Sequence, residues 1–310
     1  MRLIIALAVA LALAAIAGGC RDAGSEQGVQ VVASTTQVAD ITRNVAGSRA
    51  EVSGILTPNA DPHEYEPRPS DAEAVAGADL ILKSGGDLDA WLDQVIESSG
   101  SDAPVVTLID AMPTLTAEEN GQTETDPHWW QDPRNAVIAV GEIRDALTEA
   151  DPGGAAEYKA NAAAYIASIE RLDGQIAGCI DRVQESERKL VTSHDALSYY
   201  AKRYGIEVIG AAIPGLSTQA QASAGETADL IDLINRENVN AIFAEAGVSQ
   251  SLEQAIAGET GATVGGQLWA DALGPAGSSG ATYLQALAAN TETMVDGFTA
   301  GQVDCRIPLD

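Results

Sequence analysis

Basic residues are scarce in this 310-residue chain, in which 17 lysines and arginines oppose 45 aspartates and glutamates. Proteins that bind nucleic acids neutralise phosphates with lysine and arginine, and no basic stripe runs along this sequence. The composition therefore argues against nucleic acid as a partner. We interpret most of the acidic excess, a formal net charge of −28, as a solubilising surface that is also compatible with cationic ligands.

Aromatic residues and long apolar runs are also few. The chain has two phenylalanines, four tryptophans and seven tyrosines, so a core built mostly from aliphatic side chains is expected. Beyond residue 16, no stretch is apolar and long enough to span a membrane, which needs about 20 residues. The hydrophobic fraction of 45% is that of a globular protein, and the length is about twice that of a common single domain. These features predict a globular body with two lobes.

The first 20 residues have the pattern of a secretory signal. Arg2 precedes an apolar run over residues 3–16, and small residues follow directly before Cys20. The end of this segment resembles a bacterial lipobox, which implies cleavage before Cys20 and attachment of diacylglycerol to its thiol, although Ala17 replaces the more usual leucine. The alternative is cleavage without a lipid. The pattern predicts an exported protein on a lipid tether that starts with a flexible segment.

Two cysteines, Cys179 and Cys305, follow the predicted signal. Disulfides persist in oxidising compartments, so a bond between these two is one prediction, and it would close a long loop and restrain the C-terminus. The alternative is a buried free thiol at Cys179 and a frayed tail at Cys305. The sequence does not show the distance between them.

Short β-branched runs alternate with helical patterns along the chain, which is typical of βα units around parallel sheets. The predicted strands form two sets of four, at residues 29–34, 51–56, 78–83 and 104–109 and at residues 189–192, 207–213, 239–244 and 262–268. The polar, acidic segment 114–126 has no strong periodicity and is interpreted as a loop. The pattern predicts an α/β protein with two four-stranded βα lobes.

A long helix is predicted between the two sets of strands, starting near Asp151. Apolar residues recur there three or four positions apart, as on one buried helix face. They are Tyr158, Ala162, Tyr165, Ile166, Ile169, Leu172, Ile176, Cys179, Ile180 and Val183. About 30 residues at roughly 1.5 Å each make a rod of about 45 Å. We expect a rigid connector, with Cys179 facing the protein body.

The chain contains only three histidines, and each of them follows a predicted strand. His63 lies past the second strand, His128 lies in the loop after the fourth, and His194 lies at a turn from a strand into a helix. Ligands of open α/β sheets bind beyond the carboxyl ends of strands, and neutral histidine is a common ligand of transition metals. A lone loop histidine usually has a surface role, but three with the same placement predict one shared metal site.

Several motifs stand in a fixed order along the chain: VASTT at 32–36, DPHEYEP at 61–67, DPHWWQDP at 126–133, VTSHDA at 191–196 and LWADALG at 268–274. Together they resemble the motifs of the solute-binding proteins of bacterial zinc and manganese ABC importers, the cluster A-I or TroA/ZnuA-type family. The resemblance covers nearly the whole chain after the signal. The family's fold, two four-stranded βα lobes bridged by one long helix, agrees with the pattern above.

The resemblance implies a metal site made by His63 and His128 from the first lobe and by His194 and Asp271 from the second. Among 45 acidic residues, Asp271 is singled out only by its place after the last strand. Glu245, which follows the preceding strand, is its nearest competitor by position.

The third of the four ligands in chain order indicates the metal. In this family a glutamate at that position is associated with manganese, and a histidine more often with zinc. Here the residue is His194. Three imidazoles and one carboxylate suit four-coordinate zinc, whereas manganese favours oxygen-rich octahedral sites. Zinc is therefore the predicted ion. Manganese is the alternative, since segment 114–126 lacks the histidines found before the second ligand in many zinc-dedicated members.

Carboxylates next to the histidines have two interpretations. Glu64 and Asp195 are candidates to accept the second N–H of an imidazole and so orient it. In an alternative function, an exported zinc hydrolase, Glu64 or Glu66 would act as general base. The chain has no His-Glu-x-x-His helix and no serine nucleophile motif, and four protein ligands leave no position for a catalytic water. We therefore predict a protein that is not an enzyme.

The combined prediction is a monomeric extracytoplasmic binding protein that captures a divalent metal and delivers it to an ABC permease driven by a cytoplasmic ATPase. Through Cys20 it would be anchored to the outer face of the bacterial cytoplasmic membrane, and an adhesin role is compatible with the same fold. The predicted regions are a signal peptide (1–19), a lipid-anchored linker (20–28), a first lobe (29–150), a linking helix (151–186) and a second lobe (187–310).

Overall fold

The computed structural model describes residues 28–119 and 121–309. The predicted signal peptide, Cys20 and nearly all of the predicted tether lie outside these residues. Within the two described ranges, no helix combines the length and the apolar character that a membrane crossing requires.

The first lobe is built on one parallel sheet with helices between its strands. Its elements are β1 (Val29–Ala33), α1 (Thr36–Ala46), β2 (Ala50–Gly54), α2 (Pro69–Ala76), β3 (Leu80–Lys83), α3 (Trp91–Ser99) and β4 (Val105–Thr107). The strands lie in the order β2-β1-β3-β4, and every neighbouring pair is parallel. All four carboxyl ends therefore meet at one edge of the sheet, the edge where ligands of such sheets bind.

A β-hairpin follows the first sheet, where the sequence predicted a loop over residues 114–126. Its strands, β5 (Thr116–Glu119) and β6 (Gln122–Thr125), pair in antiparallel register. Gly121 has a φ of 76°, the left-handed backbone that glycine adopts freely. The loop prediction is wrong here, and the Asn-Gly dipeptide at 120–121 is the sequence signal of a tight hairpin turn.

Two helices follow the hairpin, α4 (Pro133–Ala150) and the long α5 (Ala155–Ile180). The 26 residues of α5 make a rod of about 39 Å. It is shorter than expected because a 3-10 turn at Pro152–Gly154 precedes it. The predicted long helix is confirmed, and its buried side chains include Tyr158, Ile169, Ile176 and Cys179.

The second lobe repeats the βα arrangement. Its elements are β7 (Lys189–Thr192), α6 (Ser198–Tyr204), β8 (Glu207–Ala211), α7 (Ala224–Glu237), β9 (Ala241–Glu245), α8 (Ser251–Glu259), β10 (Thr263–Leu268) and α9 (Tyr283–Thr299). The four strands form two hydrogen-bonded parallel pairs, β7 with β8 and β9 with β10, and β7 packs beside β9. The predicted α/β fold with two βα lobes is confirmed.

The long helix α5 contacts both lobes. It packs against α1 and α4 from the first lobe and against α9 from the second. Its apolar face belongs to one continuous core that also contains Val31 of β1 and Phe243 of β9. A shared core of this kind resists separation of the lobes, because opening it would expose apolar surface to water.

Two helices, α1 and α4, begin at capping side chains. The Thr35 hydroxyl accepts the backbone N–H of Val38 at the start of α1. Asp132 does the same for α4 by accepting from the N–H of Arg134, with Pro133 in the first turn. Such caps satisfy backbone N–H groups that have no partner inside the helix. They also fix the points at which the loops of the first lobe end.

Cys179 and Cys305 lie together at the end of α5, joined as a disulfide with Cα atoms 5.6 Å apart. Both side chains are buried, and Cys305 belongs to a C-terminal segment without regular secondary structure. The Arg182 guanidinium donates to the carbonyl of Asp304 beside this bond. The returning C-terminal segment therefore packs on the apolar face of α5.

Candidate metal centre

Four loops deliver one chemically active side chain each to the same point between the lobes. His63 follows β2, and His128 lies directly before a 3-10 turn at Trp129–Gln131. His194 comes two residues after the end of β7, and Asp271 comes three residues after the end of β10. These are the four residues that the resemblance implied.

The four side chains surround one small volume. Oδ2 of Asp271 is 3.1 Å from Nε2 of His63 and 3.1 Å from Nε2 of His194, and Oδ1 is 3.3 Å from Nε2 of His128. One ligand atom from each residue can be chosen so that all lie within 4.8 Å of one another. The three imidazole centroids are 5.3–5.7 Å apart. The atoms are close enough to hold one metal ion.

The four side chains are buried, and burying their polar atoms costs free energy unless a ligand binds them. The side chains of His128, His194 and Asp271 are at most 2% exposed, and that of His63 is 8% exposed. The three Nε2 atoms and both oxygens of Asp271 have no hydrogen-bond partner among the residues that the structure describes. A buried polar atom without a hydrogen-bond partner costs free energy. Five such atoms that surround one small volume therefore indicate a bound ligand.

Charge shifts the pKa values of these groups. Burial alone would raise the pKa of Asp271, but the charges of His194 and His128 hold it well below its usual range. Burial alone would lower the pKa of His128, but Asp271 and Asp126 raise it to about 9. Both shifts come from the attraction between the buried carboxylate and the imidazoles, and a divalent cation bound among them would compete with protons for the same nitrogen atoms.

Two further carboxylates orient the buried histidines. Asp126 Oδ1 lies 2.7 Å from Nδ1 of His128, and Glu245 Oε2 lies 2.9 Å from Nδ1 of His194. An ionised carboxylate can only accept a hydrogen bond, so each Nδ1 keeps its proton and each Nε2 is the atom that faces the centre. Carboxylates on the outer nitrogen are common at metal-binding histidines, where they fix the ring orientation.

The prediction that Glu64 and Asp195 orient the imidazoles is wrong. The Glu64 side chain is exposed to solvent, and Asp195 accepts the backbone N–H of Gly215 at 3.2 Å. Glu245 takes the orienting role for His194, although it lies 51 residues away in sequence. For His128 a local signal existed, because Asp126 precedes it in an Asp-Pro-His sequence that also occurs at 61–63.

The loop that carries Asp271 is held by side chains of the first lobe. The indole of Trp130 donates to the carbonyl of Ala270 at 3.0 Å, and the amide of Gln131 donates to the same oxygen at 2.9 Å. The Leu273 N–H donates to the hydroxyl of Thr36 at 2.8 Å. Trp130 is therefore a packing and anchoring residue. These bonds across the lobes position the carboxylate opposite His128.

A cleft of about 450 Å³ leads to His63 from the surface. The hairpin lines it with Glu124, the first lobe with Trp91, and the segment after β8 with Leu216 and Gln219. His63, the most exposed of the three histidines, is therefore the one that this cleft connects to solvent.

Comparison with known proteins gives consistent matches over this whole region. The family model described as "Zinc-uptake complex component A periplasmic" matches residues 31–297. The chain is 33% identical over 296 residues to the manganese-binding lipoprotein MntA of Halalkalibacterium halodurans, covering 94% of this chain and 97% of that protein. It is 30% identical over 282 residues to the zinc-binding protein TroA of Treponema pallidum, covering 89% and 91%.

The fold is similar to that of solved structures. The periplasmic zinc-binding protein TroA from Treponema pallidum superimposes with a TM-score of 0.82 at 29% identity, over 87% of this chain and 99% of that chain. A Mn-bound periplasmic metal-binding protein from Candidatus Liberibacter asiaticus superimposes with a TM-score of 0.78 at 27% identity, over 86% and 98%.

Proposed function

The chain belongs to the family of periplasmic zinc-uptake components A, and from this premise we propose that it captures zinc between its lobes for delivery to an ABC importer. Members of the family are metal-binding substrate-binding proteins of such importers. One observation carries the proposal for this chain. Five buried atoms of His63, His128, His194 and Asp271 face one point without a hydrogen-bond partner among the described residues.

The donor set favours zinc over manganese. Three imidazole nitrogens and a carboxylate match the nitrogen-rich, four-coordinate sites that zinc occupies. Asp126 and Glu245 increase the basicity of two of these imidazoles through their Nδ1 atoms. Manganese binds carboxylate, carbonyl and water oxygens in preference to imidazole.

Manganese is the second candidate, and the orientation of Asp271 favours it. Both carboxylate oxygens are buried without a hydrogen-bond partner in the described part of the chain, and both face the imidazoles. Bidentate binding would raise the coordination number to five, which brings the site closer to the oxygen-rich geometry that manganese takes. The similarity to a manganese-binding lipoprotein supports the same candidate.

The site supports capture rather than catalysis. Four protein ligands would fill a tetrahedral site, whereas catalytic zinc keeps a position open for water. The side chains of Glu64 and Glu66, the candidates for a general base, are exposed to solvent. The chain thus shares with its family the role of a binding protein, and we propose that it has no enzymatic activity.

The partners follow from the family. A substrate-binding protein of this kind hands its ion to a membrane permease that a cytoplasmic ATPase drives. We propose that the chain is exported, is anchored through a lipid on Cys20 to the outer face of the cytoplasmic membrane, and acts as a monomer. The relatives named as lipoproteins support the anchor.

Metal competition tests the proposal directly. Metal-stripped protein titrated with zinc and manganese against a chromophoric chelator should bind zinc at least about ten-fold more tightly, because imidazole nitrogen prefers zinc. His194→Ala should lower the zinc affinity about 100-fold or more, since it removes a ligand rather than an orienting group. Equal or tighter binding of manganese would show that manganese, not zinc, is the captured ion. Unchanged zinc affinity in His194→Ala would show that zinc does not bind at the proposed site.

Glu245→Gln should lower the zinc affinity about ten- to 100-fold, the usual cost of losing a carboxylate behind a histidine ligand. The amide keeps the shape of the side chain but accepts a weaker hydrogen bond from Nδ1 of His194. The chelator titration measures the loss. Glu237→Gln is the matched control, because Glu237 pairs with Lys189 on the surface of the same lobe. Equal affinities of the two variants would show that Glu245 does not support the site.

A further inference from the structure

His63 differs from the other two histidines in how it is held. Carboxylates bind Nδ1 of His128 and of His194. For His63 the only carboxylate found within salt-bridge distance among the described residues is Asp271 itself, which faces Nε2. The imidazole that faces the entrance cleft therefore lacks the outer carboxylate that fixes the other two rings. Its position must depend on the backbone that carries it.

That backbone is held from the opposite lobe. Asp61 Oδ1 accepts the backbone N–H of His63 at 2.8 Å, and its other oxygen, Oδ2, accepts the hydroxyl of Thr218 at 2.7 Å. The side-chain amide of Gln219 donates to the backbone carbonyl of His63. Thr218 and Gln219 lie between β8 and α7 in the second lobe, more than 150 residues away along the chain.

The segment that carries these two residues is also tied to the neighbour of His194. The N–H of Asp195 donates to the carbonyl of Gly215 at 3.0 Å, and the Asp195 carboxylate accepts the N–H of Gly215 at 3.2 Å. Residues 215–219 thus connect the turn after His194 to the turn that carries His63. We name residues 215–219 the cross-lobe strap.

The bond between Thr218 and Asp61 links the strap to a charged group of the first lobe. A hydroxyl that donates to a carboxylate makes a short, charge-assisted hydrogen bond. Asp61 is partly buried, so solvent competes for it less than at an open surface. The same carboxylate holds the N–H of His63, so loss of the Thr218 bond frees the group that fixes the histidine backbone.

We infer that Thr218 is a positioning residue for the metal centre: through Asp61 it holds His63 in place and so sets how long a captured ion stays bound. This inference rests on the proposed function, because it assigns a role in holding the same ion. If the strap opened, His63 would be the first ligand to dissociate from the ion, because the other two histidines are held by carboxylates on their outer nitrogens. Release would then begin at the side of the cleft.

Stopped-flow dissociation of zinc into an excess of chelator tests the inference. Thr218→Val keeps the size of the side chain but removes the donor, and we expect dissociation about ten-fold faster than in the unmodified protein. Thr218→Ser keeps a hydroxyl and should restore the slow rate. Thr227→Val is the matched control, because the Thr227 hydroxyl donates to the carbonyl of Ser223, the residue that caps α7. It should leave the rate unchanged.

A double-mutant cycle shows whether Thr218 acts through His63. In a His63→Ala background, Thr218→Val should add nothing to the dissociation rate, because the ligand that it positions is gone. The same acceleration in both backgrounds would overturn the inference. Asp61→Asn provides a second variant, since its amide has one oxygen and cannot accept both the His63 N–H and the Thr218 hydroxyl on separate oxygens, and it too should release zinc faster.

Two failures are distinguishable in this experiment. If the unmodified protein binds neither zinc nor manganese, the proposed function is wrong. If it binds zinc but Thr218→Val and Thr227→Val release the ion at the rate of the unmodified protein, the proposed function stands and the role of Thr218 is refuted.

Discussion

Replacing Asp271 with asparagine is expected to lower the zinc affinity of the protein about 1,000-fold, the largest effect of any substitution considered for this site. Asp271 is the only carboxylate among the four proposed ligands, and it is 2% exposed. Asparagine has the same shape but no charge. A dication held among three neutral imidazoles would then lack its only negatively charged ligand in a dry site, where charge interactions are strong.

The measurement is a competition titration at fixed pH with metal-stripped protein. Asp173→Asn is the matched control, because Asp173 is a partly buried aspartate that lies on α5 and pairs with Arg203. Its affinity for zinc should stay within about two-fold of the unmodified protein, since distant sites rarely couple. Affinity retained in Asp271→Asn would contradict the ligand assignment and would direct the search to Glu245, the other carboxylate at this edge.

Removing the bond between Cys179 and Cys305 is expected to have the largest effect on stability. The two residues are 126 positions apart, and a cross-link over so long a loop restricts the unfolded chain. The double variant Cys179→Ala/Cys305→Ala should lose about 3–5 kcal/mol of unfolding free energy. Alanine is used at both positions because serine would place a hydroxyl in a buried apolar environment.

Urea denaturation monitors this loss, with a chelator present so that bound metal does not add stability. Reduction of the unmodified protein should shift its midpoint to that of the double variant, which separates the bond from the side chains. A thiol assay on the denatured, unreduced protein should find no free thiol from these two residues. Two titrating thiols, or equal midpoints with and without reductant, would contradict the disulfide.

The general architecture was predictable because each element is specified by its own pattern of burial. The stripe from Tyr158 to Ile180 indicates α5 through a spacing of three and four residues. The strand at 189–192 is found at the predicted bounds, because a short run with β-branched residues favours a strand over a helix. The hairpin at 116–125 was missed because its sequence is polar and the residues of β6 are mostly exposed, which leaves only the turn dipeptide as a signal.

The orienting groups show where sequence reasoning ends. Asp126 acts on His128 two residues away, and the repeated Asp-Pro-His sequence marks that relation locally. Glu245 reaches His194 only because β7 packs beside β9, so no sequence neighbour points to it. Glu64 adjoins His63 in sequence but faces solvent, since neighbouring side chains in an extended segment need not point the same way.

By itself, the sequence determined the α/β class, the two lobes, the long helix and the three histidines placed after strands. It did so because periodicity and turn chemistry are local properties of the chain. Only the tertiary structure decided that both oxygens of Asp271 face three imidazoles, that Glu245 and not Asp195 supports His194, and that Thr218 reaches Asp61 across the cleft. Those relations depend on how two lobes pack around a shared core, and packing joins atoms whose separation along the chain carries no information about their distance.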